Sequence, residues 1–161
     1  MTLFEQKIES GADFSTCGKF RYSLWRIWDD RPKVMFICLN PSTADATKSD
    51  PTMRRIEGFA RSLGYGGFYI CNCFPCVSTD PKKIWWEPDS DLVNYLTIAN
   101  LSQECSNVIF AWGTNRLIQR TERDQLFMDY FPNALALKVT KDGHPAHPLY
   151  LKADLKPVPF K

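Results

Sequence analysis

The pattern of apolar and polar positions divides the chain into short segments of predicted strand and helix. The most distinct segment is an apolar run from Val34 to Leu39, which ends in Asn40-Pro41-Ser42-Thr43. An apolar run bounded by proline and small polar residues is typical of a buried strand that ends in a loop. Before it, residues 20–28 alternate between apolar and polar types, which predicts a half-buried strand. A turn at residues 29–33 predicts that these two strands form a hairpin.

A helix and a second buried strand are predicted after the polar loop. Asp50 followed by Pro51 is typical of a helix N-cap and a first helical position. The buried face of this helix is predicted to consist of Met53, Ile56, Phe59 and Ala60. Residues 68–72 form the next apolar run. Strand, helix and strand at this spacing predict a βαβ unit, whose two strands are parallel.

The remaining pattern predicts two more helices and two more strands. The helices are predicted at residues 91–105 and 116–130, and the strands at residues 107–113 and 134–139. The first of these helices is predicted to carry its apolar residues on one side, formed by Leu92, Tyr95, Leu96 and Ala99. Residues 73–89 contain three prolines and predict a long loop, a kind of segment that is usually functional or mobile.

This alternation of strands and helices predicts an α/β fold, arranged as a three-layer α/β/α sandwich with a mainly parallel central sheet. Residues 1–19 are weakly patterned and are predicted to be a loosely packed lead-in. Residues 20–161 are then expected to form a single α/β domain, which agrees with the chain length of 161 residues.

Composition narrows the class of protein. The chain is 44% hydrophobic and 24% charged, which is ordinary for a globular protein. The first residues lack the apolar core of a signal peptide, and no run approaches the roughly 18 apolar residues of a membrane span. We therefore expect a cytoplasmic protein with no membrane partner, whose six cysteines are reduced. A net charge of +2 neither indicates nor excludes a nucleic-acid partner.

Polar or small residues follow three of the predicted strands. They are Asn40-Pro41-Ser42, Asn72-Cys73 and Gly113-Thr114-Asn115. Parallel strands end at one edge of a sheet, and open α/β sheets bind their ligands at that edge. Each segment alone is explained as a turn, because asparagine and glycine often end strands, but together they predict a site. Asp45, in the first of these loops, either contacts a substrate or holds the loop.

The two histidines lie in the segment His144-Pro145-Ala146-His147-Pro148. Prolines make this segment stiff, and a histidine on rigid backbone is suited to hydrogen bonding with a substrate oxygen. This role is assigned to His147, because His144 is better explained as a capping or core residue. Cys71, Cys73 and Cys76 have no fourth ligand at a standard spacing, so no metal site and no other cofactor is predicted. The sequence also lacks a P-loop, a nucleophile elbow and a dinucleotide fingerprint.

Several of these segments resemble a bacterial and phage family known as a domain of unknown function. They are Leu39-Asn40-Pro41-Ser42-Thr43-Ala44-Asp45, Asp50-Pro51-Thr52, Ala111-Trp112-Gly113 and residues 143–151, within a resemblance that covers about residues 20–152. This family implies no particular chemistry.

The same segments, in the same order, more distantly resemble the uracil-DNA glycosylase superfamily. Residues 38–42 are similar to its first motif, Gly-Ile-Asn-Pro-Gly, in which the asparagine positions the attacking water. Residues 69–76 resemble a strand that ends in an asparagine facing the base, and residues 108–113 resemble the strand after it. Residues 147–151 resemble the second motif, His-Pro-Ser, whose histidine contacts a base oxygen. Departures are Cys38 and Ser42 in place of glycines, Leu149 in place of serine, and the lack of most iron–sulfur ligands.

This resemblance implies a uracil-DNA glycosylase-like fold and a hydrolase of DNA repair or DNA modification. Its reaction would cleave the N-glycosidic bond of a modified or deaminated base, either in DNA or in a nucleotide. Asn40 would orient water, and His147 would hydrogen bond the base O2. The substrate-binding residues implied are Pro41, Ser42, Asp45, Asn72, Phe74, Trp112 and Gly113. The alternatives are a non-catalytic binder of a nucleobase, nucleotide or modified DNA, and an enzyme of base modification that uses the same pocket.

Overall fold

A seven-stranded mixed sheet forms the centre of the computed structural model, which describes residues 7–161. Its strands are β1 (Glu9–Phe14), β2 (Arg21–Ile27), β3 (Lys33–Cys38), β4 (Gly67–Asn72), β5 (Cys105–Phe110), β6 (Leu135–Ala136) and β7 (Val158–Pro159). The helices of this part of the chain are α1 (Pro51–Ser62), α2 (Pro88–Ser102), α3 (Leu117–Arg120) and α4 (Arg123–Tyr130). The predicted α/β class is therefore confirmed.

The order of the strands across the sheet is β1-β2-β4-β3-β5-β6-β7. The four central strands β4, β3, β5 and β6 are parallel to one another. The outer pairings, β1 with β2, β2 with β4 and β6 with β7, are antiparallel. The sheet is thus mixed and not mainly parallel as predicted, because both of its sides are completed by strands that run against the central ones.

The predicted βαβ unit is present as β3, α1 and β4. A carboxylate oxygen of Asp50 accepts a hydrogen bond of 2.8 Å from the backbone N–H of Met53, so Asp50 caps α1 as expected. The four residues predicted for the buried face of α1 are the four that the structure buries. Because β3 and β4 are parallel, the loop after Cys38 and the loop after Asn72 leave the sheet at the same edge.

The predicted hairpin of β2 and β3 is wrong, because β4 lies between them. The turn at residues 28–32 instead encloses the start of β4. The backbone carbonyl of Gly66 accepts hydrogen bonds from the N–H groups of Trp28 and Asp29, and the N–H of Gly66 donates to the carbonyl of Pro32. A Cβ at Gly66 would lie 2.6 Å from the carbonyl oxygen of Arg31, so only glycine fits there. The turn therefore spans a neighbouring strand and does not join two paired ones.

Residues 9–14 form the edge strand β1, which pairs with β2 from Glu9 opposite Ile27 to Phe14 opposite Arg21. The prediction of a loosely packed lead-in missed this strand, because its residues lack clear apolar alternation. Residues 1–6, which belong to the same predicted lead-in and to the predicted absence of a signal peptide, lie outside the described residues.

Helix α2 buries a face different from the predicted one. Leu92 and Leu96 are 58% and 56% exposed, whereas Asn94 and Ile98 are buried. The side-chain amide of Asn94 donates a hydrogen bond of 2.9 Å to the backbone carbonyl of Asn72 at the end of β4. This hydrogen bond lets a polar residue occupy the inner face, which a hydrophobic pattern does not reveal.

The last predicted helix and the last predicted strand also differ from the observed elements. The helix predicted at residues 116–130 is divided into α3 and α4 at Glu122, whose φ is 58°. A left-handed backbone conformation at a residue other than glycine interrupts the helical hydrogen bonds. The strand predicted at residues 134–139 is reduced to the two residues of β6.

Two apolar clusters cover the opposite faces of the central strands. Phe36 of β3 packs with Ile56 and Phe59 of α1, whereas Met35 belongs to a cluster with Ile98 of α2 and Phe127 of α4. Neighbouring residues of a strand point to opposite faces, so α1 lies on one side of β3 and α2 and α4 lie on the other. No helix within residues 7–161 is both long and apolar enough to cross a membrane.

Candidate functional site

A pocket of about 240 Å³ lies where β3 and β4 end. Five of the residues predicted for a site line it, namely Asn40, Ser42, Asn72, Trp112 and His147. Asn40 and Ser42 follow β3, Asn72 is the last residue of β4, and Trp112 follows β5. His147 belongs to the proline-rich segment. The parallel order of β4, β3 and β5 is what brings these separate segments to one edge.

Asn40 is fixed by its side-chain nitrogen. Nδ2 lies 3.0 Å from the carbonyl oxygen of Pro41, 3.2 Å from that of Cys76 and 2.9 Å from that of Ser78. Three surrounding acceptors identify this atom as the nitrogen of the amide. The amide oxygen of Asn40 is therefore left to accept a hydrogen bond from water or from a ligand in the pocket.

His147 is held as a neutral imidazole. Nδ1 of His147 accepts a hydrogen bond of 3.2 Å from the backbone N–H of Leu149, at the start of the 3₁₀ turn Pro148–Tyr150. The proton of the neutral ring is then on Nε2, which has no partner in the part of the chain described. Burial lowers the pKa of His147 below its ordinary value, and the nearby carboxylate of Asp50 opposes this effect. His147 thus presents an N–H donor.

Gly113 supports the histidine segment from behind and does not line the pocket. Its φ is +77°, a conformation that favours glycine, and its N–H donates a hydrogen bond of 2.9 Å to the carbonyl of Pro145. A Cβ at Gly113 would lie 3.5 Å from the Cβ of His147. His144, the other histidine, lies with Nδ1 3.3 Å from the side-chain nitrogen of Gln119.

Asn72 and Trp112 have buried polar atoms without a hydrogen-bond partner. Asn72 is 1% exposed and Trp112 is 2% exposed. Oδ1 of Asn72 and Nε1 of Trp112 are both unpaired. Buried polar groups are almost always hydrogen bonded, so these two atoms call for a partner that residues 7–161 do not provide.

Asp45 holds the first loop and does not line the pocket. Its Oδ1 accepts hydrogen bonds from the backbone N–H groups of Thr47 and Lys48 at 2.9 and 2.7 Å. These two hydrogen bonds lower the pKa of the Asp45 carboxyl. Of the two roles expected for this residue, the structure shows the one of holding the loop.

Phe74 and Pro41 are buried and also lie outside the pocket lining. The ring of Phe74 packs under the guanidinium of Arg123, whose central carbon is 4.0 Å from the ring centroid. Arg123 in turn forms an ion pair of 2.8 Å with Asp91. The structure therefore places Phe74 in the core beside α4, where it does not stack on a ligand in this pocket.

Sequence reasoning missed Arg21 and the pocket role of Asp50. Arg21 is 3% exposed and lines the pocket, although the alternation of residues 20–28 suggested an exposed polar position. The available signal was the presence of two arginines in a strand of mainly aromatic and aliphatic residues. Asp50 caps α1 and also lines the pocket, where its Oδ2 accepts a hydrogen bond of 2.9 Å from the hydroxyl of Ser42.

The buried cysteines near the pocket are held as thiols. Burial raises the pKa of Cys38 to about 12, and it raises the pKa of Cys71 as well. All six cysteines are free. Within residues 7–161 there is no group of three or more His, Cys, Asp or Glu side chains placed to hold a metal ion.

Fold and site together define an α/β protein with a polar pocket at the carboxyl ends of its parallel strands. The chain belongs to the family described as "Protein of unknown function (DUF1643)", whose model matches residues 21–149. The predicted likeness to a domain of unknown function is thereby confirmed, and the match includes every residue that lines the pocket. Comparison with curated proteins gave no match, and neither did comparison with solved structures.

Proposed function

We propose that the protein is a glycosylase-like hydrolase that cleaves the N-glycosidic bond of a modified or deaminated base in DNA. The observation that carries this proposal is the pairing of two free groups at one pocket. The amide oxygen of Asn40 is an acceptor for water, and Nε2–H of His147 is a donor for a base oxygen. Hydrolysis of an N-glycosidic bond needs these two functions on opposite sides of the bond.

In this mechanism Asn40 positions the nucleophile and is not a base. Its amide oxygen accepts a hydrogen bond from water and directs the water oxygen towards C1′ of the sugar. As the new C–O bond forms, the electrons of the C1′–N bond pass to the base. Nε2–H of His147 donates to the base O2 and stabilises the negative charge that develops there. Solvent takes the proton of the attacking water and later protonates the released base.

The unpaired polar atoms of Asn72 and Trp112 support a nucleobase as the ligand. One of these buried atoms is an acceptor and the other is a donor, and neither has a partner within residues 7–161. The edge of a nucleobase carries both donors and acceptors. A base in duplex DNA would have to be flipped out of the stack to enter such a pocket. The distant resemblance to the uracil-DNA glycosylase superfamily points to the same reaction, and we extend the proposal to its three-layer α/β/α fold, with α1 on one side of the sheet and α2 and α4 on the other.

A second candidate is a non-catalytic binder of a nucleobase, nucleotide or modified DNA. The observation that favours it is the state of Asp50, whose carboxylate lies in the pocket lining. Both of its oxygens accept hydrogen bonds, one from the N–H of Met53 and one from the hydroxyl of Ser42. Asp50 is thus engaged in holding the structure, and water would be positioned by Asn40 without a carboxylate as base. An enzyme of base modification would instead require a cosubstrate.

The reaction is tested with oligonucleotides that carry normal, deaminated and hypermodified bases, read as cleavage at abasic sites. His147→Asn is the informative variant, because asparagine also accepts a hydrogen bond at a turn start but lacks the Nε2–H donor. We expect excision to fall by about 10²-fold or more in this variant. His144→Asn is the matched control and should retain the wild-type rate.

Abasic product from the wild type and the control, but not from His147→Asn, would establish the glycosylase. Tight binding of one oligonucleotide without product would establish the binder. Product that forms only with an added cosubstrate would establish the base-modifying enzyme. Asn40→Ala serves as a second variant, and its folding must be checked, because Asn40 also ties its loop to residues 76 and 78.

A further inference from the structure

Arg21 is a buried cation without an ion pair. It is 3% exposed, and none of the ion pairs formed within residues 7–161 includes it. Its Nη1 donates a hydrogen bond of 3.0 Å to the carbonyl of Ala44, and its Nε is buried without an acceptor. Burial lowers the pKa of Arg21, because removal from water disfavours the charged guanidinium. Arginine stays protonated in proteins, so a positive charge remains without a bonded anion.

The carboxylate of Asp50 does not form an ion pair with Arg21. Asp50 lines the same pocket as Arg21, and its charge raises the pKa of Arg21. However, none of the ion pairs within residues 7–161 joins Asp50 to Arg21, and the oxygens of Asp50 accept hydrogen bonds from the hydroxyl of Ser42 and the N–H of Met53. Apart from the hydrogen bond of Nη1 to Ala44, the guanidinium has no hydrogen-bond acceptor within residues 7–161, so donor capacity remains for a ligand.

We call the almost fully buried part of the pocket lining its floor, and Arg21 belongs to it. The other residues of this floor are Leu24, Cys38, Met53, Ile70, Asn72 and Trp112. The rim is formed by exposed residues, among them Thr79 and Pro81. Asn40 and His147 are partly exposed and thus lie nearer to the opening. A ligand whose scissile bond is at Asn40 and His147 therefore meets Arg21 with its deepest end.

We propose that Arg21 recognises an oxyanion on the ligand, and that this oxyanion is a carboxylate carried by the base. A guanidinium binds carboxylates and phosphates through two parallel hydrogen bonds, which suits this unpaired group. A backbone phosphate would remain near the rim with the sugar, out of reach of the floor. The assignment to the base rests on the proposed function, whereas the binding of an oxyanion at Arg21 does not.

Arg26 provides a matched control on the same strand. It is also buried, and its Nη2 donates a hydrogen bond of 2.9 Å to the carbonyl of Asp45, in the loop that Arg21 also contacts. It does not line the pocket. Arg21→Gln and Arg26→Gln both remove a buried charge that holds this loop, but only Arg21→Gln removes a charge at the pocket floor.

The test is calorimetric binding of 5-carboxyuracil and of its neutral isostere 5-carbamoyluracil to the full chain. We expect the acid to bind wild type and Arg26→Gln about tenfold or more tightly than the amide. In Arg21→Gln this preference should disappear, while near-UV circular dichroism shows an intact fold. If Arg21→Gln does not fold, the acid-to-amide ratio in the wild type and its decrease with added salt decide the question.

The second arm compares deoxyuridine 5′-monophosphate with deoxyuridine. If the monophosphate binds more tightly than the nucleoside and this gain in affinity is lost in Arg21→Gln, the anion is a nucleotide phosphate. The proposal of a carboxylate on the base would then be wrong. Equal affinity for acid and amide, or no binding of either at millimolar concentration, would overturn the anion site. Failure of the proposed function has a different signature, since the preference for the acid would then persist while no oligonucleotide yields an abasic site.

Discussion

The proton of His147 is placed by a single backbone amide. Because the N–H of Leu149 donates to Nδ1, the imidazole carries its own proton on Nε2. Protonation of the ring would place a proton on Nδ1, which would then face the N–H of Leu149. It would also place a positive charge in a partly buried site. Burial already lowers the pKa of His147, so the geometry and the environment both favour the neutral donor.

This state predicts a dependence of stability on pH. The pKa of His147 in the folded protein lies below the ordinary value of 6.5 that applies to the unfolded chain. The stability given by the neutral ring is therefore complete above 6.5 and is lost as the pH falls towards the folded value, because the unfolded chain takes up the proton first. Urea midpoints at about pH 8 and pH 5 should fall more for the wild type than for His147→Asn. Parallel losses in the two proteins would contradict the assignment.

Some residues of the pocket could be predicted from the sequence and others could not. Asn40, Asn72 and His147 follow local signals, a strand that ends or a proline-stiffened segment, and all three line one pocket. Arg21 gave no comparable signal, because alternation along a strand reports only which side a residue faces. Whether that side meets solvent or a pocket depends on neighbouring strands, which are distant in sequence.

At the scale of elements, the βαβ unit was predictable and the pairing of β2 was not. The cap, the proline and the periodic apolar face of α1 all lie within residues 50–60, so local physics specifies the helix. Strand β2 pairs with β4, where Leu24 lies opposite Ile70. No signal in the turn at residues 29–33 shows that a third strand will insert there. The inner face of α2 was missed for a similar reason, since Asn94 is buried by a hydrogen bond to Asn72.

Two glycines of the βαβ unit predict opposite effects of the same substitution. Gly58 lies at an exposed position of α1, and a Cβ there would meet nothing within 4 Å. Gly67 begins β4, and a Cβ there would lie 2.8 Å from the carbonyl oxygen of Arg26 and 2.9 Å from the Cα of Ile27. Gly58→Ala should raise the free energy of unfolding by about 0.5–1 kcal/mol, because alanine favours the helix. Gly67→Ala should lower it, and urea denaturation of the two variants provides the check.

Effects of the same sign in both variants would contradict this account of β4. The backbone of β2 would then have room to move away from Gly67, and the tight approach would not limit the sheet.

At the scale of the whole molecule, the distribution of charge is more informative than its sum. The net charge is only +2, but a groove beside the pocket is lined by Lys82, Arg116 and Arg120 without a carboxylate. Pro81 lines both the groove and the pocket, so the two are adjacent. Under the proposed function, this groove is where the phosphates of a DNA strand would lie while one base occupies the pocket.

The double variant Lys82→Gln with Arg116→Gln should weaken binding of an oligonucleotide that carries the target base. The slope of log affinity against log salt should become shallower by about 1–2, because each lost phosphate contact removes about 0.7–0.9. Binding of the free base should not change. Lys141→Gln with Lys156→Gln removes the same charge from exposed positions outside the groove and should have little effect. Equal weakening by both pairs would indicate a general effect of charge and no defined path.

The two edge strands of the sheet, β1 and β7, lie outside residues 21–149, the part of the chain that the family match covers. Strand β1 pairs with β2, which carries Arg21, and Phe160 after β7 packs 6.2 Å from the ring of Trp112. A fragment cut at the family limits would therefore lose the support behind two pocket residues. It would also present open strand edges to other copies of itself, which invites aggregation. The two strands that the family match leaves out, β1 and β7, are therefore the ones that close the two edges of the sheet.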